Sequence, residues 1–522
     1  MTKHLYHRLS LIMGLSLALH FMAPAQTYQY LPDSSFDGNG LKSFIFFNNI
    51  DRIHGCALQP DEKLVMAGLS KNNSTGSFEL CVVRLLVNGD FDSTFNGDGV
   101  AYISMGNQNS IGGMTPKVKV AVNGKIVVAN SGQGPAGNST DIMLCRLDSN
   151  GVLDPGFNGN GVLFVDMLGT GTQPDMANAL DLDATGNIYA VGVTRTGPSP
   201  LDNDFAVIKV DTNGQPDTSF DGDGKKLFNP TGVAEFGRGI KVQADGKILF
   251  GGTAGSNMYL IRIDSTGAPD NSFNSTGTVS IVFQLASDMG TLDIDALGRI
   301  VIAGKLQTSN SNIAVARYRS NGTFDPNFGF NGKYTYNVGG GANVISDIHI
   351  QNDYKIILAG YADDSSGFSN YIASRIDTGG VIDLTFNGLG FVSQAIIPGN
   401  VDEECGGMAV MADGRIILTG TTVYVAAVNE EAGICRLQPV LATSVNEILP
   451  GQQMQAYPNP FGQSLQLVSQ AEGDAVLMDT AGRILSSFRV FRGINTIRTA
   501  DLPAGMYLIR MADGPALKLV KE

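Results

Sequence analysis

Two histidines, His54 and His349, are the only imidazoles beyond residue 25, and they fall at non-equivalent points of a repeating sequence. No H-E-x-x-H, Ser-His-Asp order, Walker loop or dinucleotide fingerprint occurs in the context its chemistry needs, so histidine-based catalysis and multi-histidine metal sites are not expected. Carboxylates are the remaining candidates, because paired acids a suitable distance apart suffice for glycoside hydrolysis. Asp202 with Asp204, Asp363 with Asp364, and Asp402, Glu403 and Glu404 stand in loop-like sequence. On an acidic surface such clusters are ordinarily solvated. Asp217, Asp221 and Asp223 line up as D-x-x-x-D-x-D-G and raise a calcium reading. A Ca²⁺ loop needs more oxygens and a bidentate acid, whereas Asx turns followed by Gly explain the same residues. No residue is therefore assigned a catalytic, cofactor-binding or metal role, and no cofactor is expected.

The five cysteines, Cys56, Cys81, Cys145, Cys405 and Cys435, are odd in number, scattered and without metal-ligand spacing, which favours buried thiols over a disulfide scaffold. Glycine accounts for 65 of 522 residues, above its usual share of roughly 7%. With 43% hydrophobic and 16% charged residues, the composition describes a folded, turn-rich chain. The formal charge is −14, and a nucleic-acid ligand would require a basic face, so nucleic acid is excluded as a general partner.

What positions any site here is a repeat. A D-x-x-F motif with a Gly-rich tail appears seven times, with its phenylalanine at Phe36, Phe95, Phe157, Phe220, Phe273, Phe328 and Phe386, a mean period of about 58 residues. Each motif precedes a short strand-like run, an apolar stretch, and a second run such as KLVMAG or RIVIAG. A further strand then carries a cation, at Arg84, Arg146, Lys209, Arg262, Arg317, Arg375 or Arg436. Short β-branched runs punctuated by N-G and D-G turns are strand and hairpin signals. Four strands per unit and seven units predict an all-β, seven-bladed propeller of four-stranded blades. An open β-solenoid has shorter coils.

Cation and following motif Asp are eight residues apart in all six complete cases, from Arg84–Asp92 to Arg375–Asp383. That constancy predicts a fixed hairpin with a charge-assisted pair across it. Asp33 lacks an upstream cation and Arg436 a downstream Asp, which places the first and last strands in one shared blade. Length varies instead between the second run and the cation strand, from 15 residues (Lys247 to Arg262) to 22 (Asn187 to Lys209). Loops of free length on a rigid scaffold are where binding resides.

The recurrent PDxSFDGDG, GKI-V-AG and R-x-x-x-NG elements over residues 32–438 resemble the delta-60 repeat family, which implies a β-propeller and no defined activity. Ser275-Thr276 and Gly329-Phe330 depart from the pattern and suggest remodelled turns there, the latter read as an insertion.

Residues 1–25 read as a Sec-type signal peptide: Lys3 and Arg8, an apolar run over 9–22, and Ala23-Pro24-Ala25 before a mature start at Gln26. Its loss removes Lys3 and Arg8 and leaves the mature chain at −16. No later segment is expected to span a membrane. The propeller is expected over 26–438 and a linker over 439–456. A segment at 457–522, with charge +1, reads as a small β-sandwich. Its YPNP, D-x-x-G-R and LPAGMYLIR elements and Lys-bearing end resemble the type A C-terminal sorting domain of the type IX secretion system of Bacteroidetes. That resemblance implies handling by the type IX machinery and a secreted or outer-surface location.

The expected function is an exported binding or scaffold module for a protein or glycan. The alternative is a polysaccharide-active hydrolase or lyase with a carboxylate-based site at the propeller channel.

Overall fold

The computed structural model describes residues 27–522 except 47–49, 135–138, 200–201, 308–310, 400, 425–428, 442–453, 458–463, 470–471, 480–482, 512–516 and 522. The expected signal peptide and most of the linker lie outside the described residues. Every regular element described is a β-strand.

Between residues 28 and 441 the described strands form seven antiparallel sheets. The first comprises Asp51–Leu58, Leu64–Lys71, Phe78–Leu85 and Val100–Ser104. Five further four-stranded sheets follow in chain order. The last combines Val401–Val410, Ile416–Tyr424 and Glu430–Leu441 with two N-terminal strands, Tyr28–Pro32 and Leu41–Phe44. Each sheet packs on the next, and the last packs on Asp51–Leu58 of the first, so the sheets close into a propeller-like ring. Apolar clusters fill the spaces between neighbouring sheets.

The repeat in the sequence is offset from the blade by one strand. In six blades the D-x-x-F motif connects the third strand, which carries the cation, to the outer fourth strand, and in the closing blade it joins Tyr28–Pro32 to Leu41–Phe44, both paired with the cation-bearing Glu430–Leu441. Arg84 Nε donates to Asp92 Oδ2 at 2.8 Å, and the same bond recurs at Arg146–Asp154, Arg262–Asp270, Arg317–Asp325 and Arg375–Asp383. At the ring closure Arg436 Nε donates to Asp33 Oδ2 at 2.7 Å, which places the two orphans in one blade. Lys209 takes the position in the remaining blade, 2.8 Å from Asp217. Each guanidinium also lies over the ring of its motif phenylalanine, at 4.5 Å for Arg317 on Phe328 and 4.8 Å for Arg84 on Phe95. All seven of these phenylalanines are at most 1% exposed.

The same arginines reach the following blade. Arg317 Nη1 donates to Thr378 O at 3.0 Å and Arg262 Nη1 to Ser320 O at 2.6 Å, while Arg84, Arg146 and Arg436 reach Ser149, Thr212 and Val87 carbonyls in the same way. Beneath them, the residue after each phenylalanine donates its N–H to the next blade's hairpin, as Asn96 does to Asn150 O at 2.7 Å.

The motif tail is a left-handed turn. Asp37, Asn96, Asn158, Asp221, Asn274 and Asn387 have φ between 49° and 55°, a region that Asn and Asp enter more readily than other side chains. The two departures behave differently. Ser275 occupies the following Gly slot with φ of 64°, so that turn keeps its shape at the cost of strain. Gly329 takes the Asx slot at φ 51°, and Phe330 stands where Gly does elsewhere, 83% exposed, with its N–H on Lys333 O. The tail is thus substituted at its original length, which corrects the expectation of an insertion.

Beyond the ring, Met454–Tyr457, Ser464–Ser469 and Gly493–Arg498 form one sheet. A second sheet holds Gly473–Asp479, Ile484–Val490, Gly505–Met511 and Leu517–Lys521. They enclose Leu467, Leu477, Val490, Ile509 and Leu519 as a separate core, the expected small sandwich.

Two outcomes test these packing arguments. Asp33→Ala leaves the Arg436 guanidinium buried without its carboxylate and is expected to cost about 3–5 kcal/mol, measured by denaturant unfolding. An unchanged midpoint would show that the first strand does not close the ring. Ser275→Gly relieves a left-handed serine and is expected to stabilise by about 1 kcal/mol in the same assay.

Candidate functional site

The first strand of each blade is innermost, and in six blades it carries a β-bulge. Pairing with the second strand slips at His54, Asn178, Arg238, Gly290, Ser346 and Gly406. A bulge turns one residue out of the pleat, and here it turns it into the central channel. The glycine that ends each second run exists for this reason: a Cβ at Gly68, Gly192, Gly252, Gly304, Gly360 or Gly420 would run into the carbonyl two residues before the bulge residue. The exception proves consistent, since Asn130 stands there in the second blade, whose inner strand, Lys117–Val120, pairs without a bulge behind Pro116.

The channel has two chambers. One, of about 330 Å³, lies at the tight-turn end and holds His349, Asp293, Lys241 and Lys119 among its walls. Charges alternate around it, with Lys241 Nζ 2.8 Å from Asp293 and Lys119 Nζ 3.7 Å from Asp181. These pairs satisfy one another and link neighbouring inner strands.

The other chamber, of about 460 Å³, opens at the end where the second and third strands are joined by the loops of variable length. His54, Lys117, Asn178, Arg238, Tyr361 and Glu404 line it, with Phe236, Asp288 and Lys305. Lys117 Nζ donates to the carbonyls of His54 and Gly406 at 3.0 Å each and stands between the two chambers. Burial lowers the Lys117 pKa. Burial, with Lys117 and Arg52 nearby, holds His54 at about 3, so its imidazole is neutral. Its Nε2 is buried with no hydrogen-bond partner. Asn178 is 5% exposed; its Nδ2 donates to Gly237 O at 2.9 Å, and its Oδ1 is buried without a donor. Arg238 projects into the lumen and, among the described residues, has no hydrogen-bond or ion-pair partner. Burial lowers its pKa against the opposing charge of Asp288. Burial likewise raises Glu404 and pushes the Tyr361 hydroxyl up to about 12.

The acids singled out in the sequence are dispersed. Asp202 accepts Ser199 N at 3.0 Å, Asp204 accepts Asn229 Nδ2 at 2.9 Å, Asp363 accepts Ala342 N at 3.0 Å and Asp364 accepts Ser366 N at 2.7 Å. Asp402 accepts Ser369 N at 3.1 Å. Glu404 alone faces the channel. Asp217 is taken by Lys209 and Asp221 by Lys226 at 2.6 Å, while Asp223 accepts Lys225 N at 3.0 Å. Among the described residues no cluster of three or more His, Cys, Asp or Glu is placed to hold a metal ion.

Arg238, Asn178 and Lys117 escaped the sequence reading, as did the meeting of His54 with them. A signal existed: every bulge residue lies 14 positions before the glycine of its second run, from His54 and Gly68 to Gly406 and Gly420. His54 and His349 share the channel but stand in opposite chambers.

A closed ring of repeated, radially packed antiparallel sheets defines a β-propeller. Residues 59–95, 123–157, 243–273 and 298–328 match the model of a domain of unknown function, DUF5122, described as a β-propeller. Residues 455–522 match a secretion system C-terminal sorting domain. The chain therefore carries DUF5122 propeller repeats followed by a type IX sorting domain. No curated protein matches its sequence.

Similar solved structures include an inactive virginiamycin B lyase from Staphylococcus aureus, at 9% identity, TM-score 0.45, over 76% of this chain and 98% of that one. A protein of unknown function from Dyadobacter fermentans follows at 12% identity and TM-score 0.40, over 76% and 99%. The β-propeller domain of the Trilobed protease from Pyrococcus furiosus has 10% identity and TM-score 0.39, over 78% and 99%. No activity follows from likenesses of this size.

The mouth carrying this chamber is bordered by connectors from outer to inner strands, and buried acids hold them. Glu403 accepts Ile396 N and Ile397 N at 2.8 Å, and Asp175 accepts Met167 N at 2.8 Å. Burial raises both carboxyls to about 7, from ordinary values of 4.5 and 3.8. The folded chain thus holds protons that the unfolded chain releases between about pH 4 and 7, and this stabilisation is lost as pH rises through 7. The motif acids act oppositely and lower down. Burial raises Asp92, but Thr94, Lys63 and Arg84 outweigh it and hold the carboxyl at about 2. His54, held neutral, opposes this below pH 6.5, where the unfolded chain takes up a proton that the folded chain does not. The two raised carboxyls outweigh it, so melting temperature is expected to rise as pH falls from 8 to 5, and Asp175→Asn with Glu403→Gln to abolish or reverse that slope. A slope unchanged in the double variant would contradict the assignment.

Proposed function

We propose that this chain is an exported binding module whose ligand enters the channel at the variable-loop mouth. One observation carries the reading: Arg238, which has no hydrogen-bond or ion-pair partner among the described residues, projects into a 460 Å³ chamber at this mouth. A guanidinium in a partly enclosed site ordinarily has partners for its donors, and a chamber of this size falls in the range of small-molecule sites, roughly 300–1,000 Å³. The sorting domain supports delivery to the surface or medium. Among the described residues no helix is long and apolar enough to cross a membrane.

The division of labour along the chain belongs to the same proposal. Residues 1–25 act as signal peptide, 26–438 as a seven-bladed propeller, 439–456 as linker and 457–522 as the part read by the type IX machinery. The separate sandwich core and its opposite charge support this division. The enzymatic alternative keeps a foothold in Asp288 and Glu404, the two carboxylates at this mouth.

The secreted full-length protein, screened against protein and glycan panels, is expected to bind a ligand that Ser346→Phe, which fills the lumen, displaces by at least tenfold. Reducing-end and absorbance assays on bound glycans are expected to show no turnover; turnover lost in Glu404→Gln would establish the enzyme instead. Removing residues 457–522 is expected to strand the product in the periplasm of a type IX-competent host, scored by immunoblot of medium and cell fractions. Export of the truncated chain would overturn the sorting role.

A further inference from the structure

The chamber at the variable-loop mouth has a chemical character distinct from the rest of the molecule. The chain is acidic overall, at −14, yet Arg238, Lys117 and Lys305 outnumber Asp288 and Glu404 around this lumen. Low-dielectric walls focus such a field on an entering anion. Arg238 brings five N–H donors in a planar fork suited to a carboxylate, and none is spent within the protein among the described residues. Lys117 spends two of its three donors on His54 O and Gly406 O and keeps the third.

A bare anion would not complete the site. Glu404 and Asp288 bring carboxylate acceptors to the same lumen and ask for hydrogen-bond donors. They also oppose dense negative charge, which disfavours phosphate and sulfate esters. An ammonium group is disfavoured by Arg238 and Lys117. Phe236 and Tyr361, from different sheets, supply apolar faces to the lumen. The complement is a molecule with one carboxylate, several hydroxyl donors and a partly apolar ring face.

We propose that this chamber binds an acidic sugar, a uronic or ulosonic acid residue of a glycan, with its carboxylate on Arg238 and its hydroxyls on Glu404 and Asp288. This rests on the reading of the channel mouth as the binding site. It concerns recognition and involves no covalent step. Lys117 forms the floor and limits entry to one end of the glycan chain.

The test uses the full-length secreted protein and isothermal titration. Probes are D-glucuronate, tri-galacturonate, oligomannuronate and N-acetylneuraminate, with D-glucose, D-galactose and inorganic phosphate as counterparts. At least one acidic sugar is expected to bind at least tenfold more tightly than its neutral counterpart and than phosphate, and to weaken with added salt. Arg238→Met is expected to weaken that binding at least tenfold, with Arg238→Lys recovering part of the loss. Because Arg238 has no internal partner, the variants should keep the wild-type melting temperature, which is measured alongside. Glu404→Leu is expected to weaken acidic-sugar binding through the lost hydroxyl contacts, while acetate, which has no hydroxyl, binds no more weakly.

The acidic-sugar assignment is overturned if no acidic probe binds, if neutral sugars or phosphate bind as well, or if Arg238→Met leaves the affinity unchanged. In those cases a panel ligand still displaced by Ser346→Phe would preserve the channel as the binding site. A panel ligand indifferent to Ser346→Phe would remove that reading as well.

Discussion

The ring depends on one buried interaction, the guanidinium that each blade presents to the next. Each arginine meets three needs: a motif carboxylate, eight residues on except at the ring closure, the face of a motif phenylalanine, and, in five of the six, a carbonyl of the neighbouring hairpin. Such a group is costly to desolvate alone and stable when every donor direction is filled. Its geometry therefore fixes hairpin register, motif turn and blade spacing together. Lys209, a point charge without the fork, pairs with Asp217 and stacks on Tyr189 instead, and its blade forgoes the inter-blade bond.

The same economy governs closure. The last strand, Glu430–Leu441, pairs with the N-terminal strands Tyr28–Pro32 and Leu41–Phe44, and Arg436 finds its carboxylate in Asp33, 403 residues away. Tyr28 completes the circle on the other side, with its N–H on Thr385 O at 3.0 Å and its carbonyl accepting Asn387 N at 2.6 Å. A ring zipped from both termini has no free sheet edge at its seam, which a propeller would otherwise expose.

Repetition builds the scaffold, and departure from repetition builds the lumen. Bulges place one residue per inner strand into the channel, and the ring identity constrains that residue little. His, Asn, Arg, Gly, Ser and Gly occupy equivalent places. The glycine opposite each bulge is invariant across those six blades because a side chain would strike the backbone, whereas the bulge residue is free to carry chemistry. Within one chain, the variable positions thus point to the site and the constant ones to the frame.

Local sequence determined much of this protein. Alternating apolar runs, Asx-Gly turns and the eight-residue spacing specified strands, hairpins and the Arg–Asp pairing, because each depends on residues within one or two turns of chain. The orphaned Asp33 and Arg436 even disclosed the seam, since an unpaired buried charge has to find a partner somewhere. The sorting sandwich was legible from its own motifs. The lumen was not. Asn178, Arg238, Lys117 and His54 come from four different blades, and no short-range pattern marks them as neighbours. Likewise, the acids that looked paired along the chain face different partners: Asp402 and Glu403 point to opposite sides of one strand, and Asp363 and Asp364, at a strand end and in the loop after it, accept from different segments. Closure of the ring decided which side chains meet and set the Arg238 guanidinium in the cavity without a partner among the described residues.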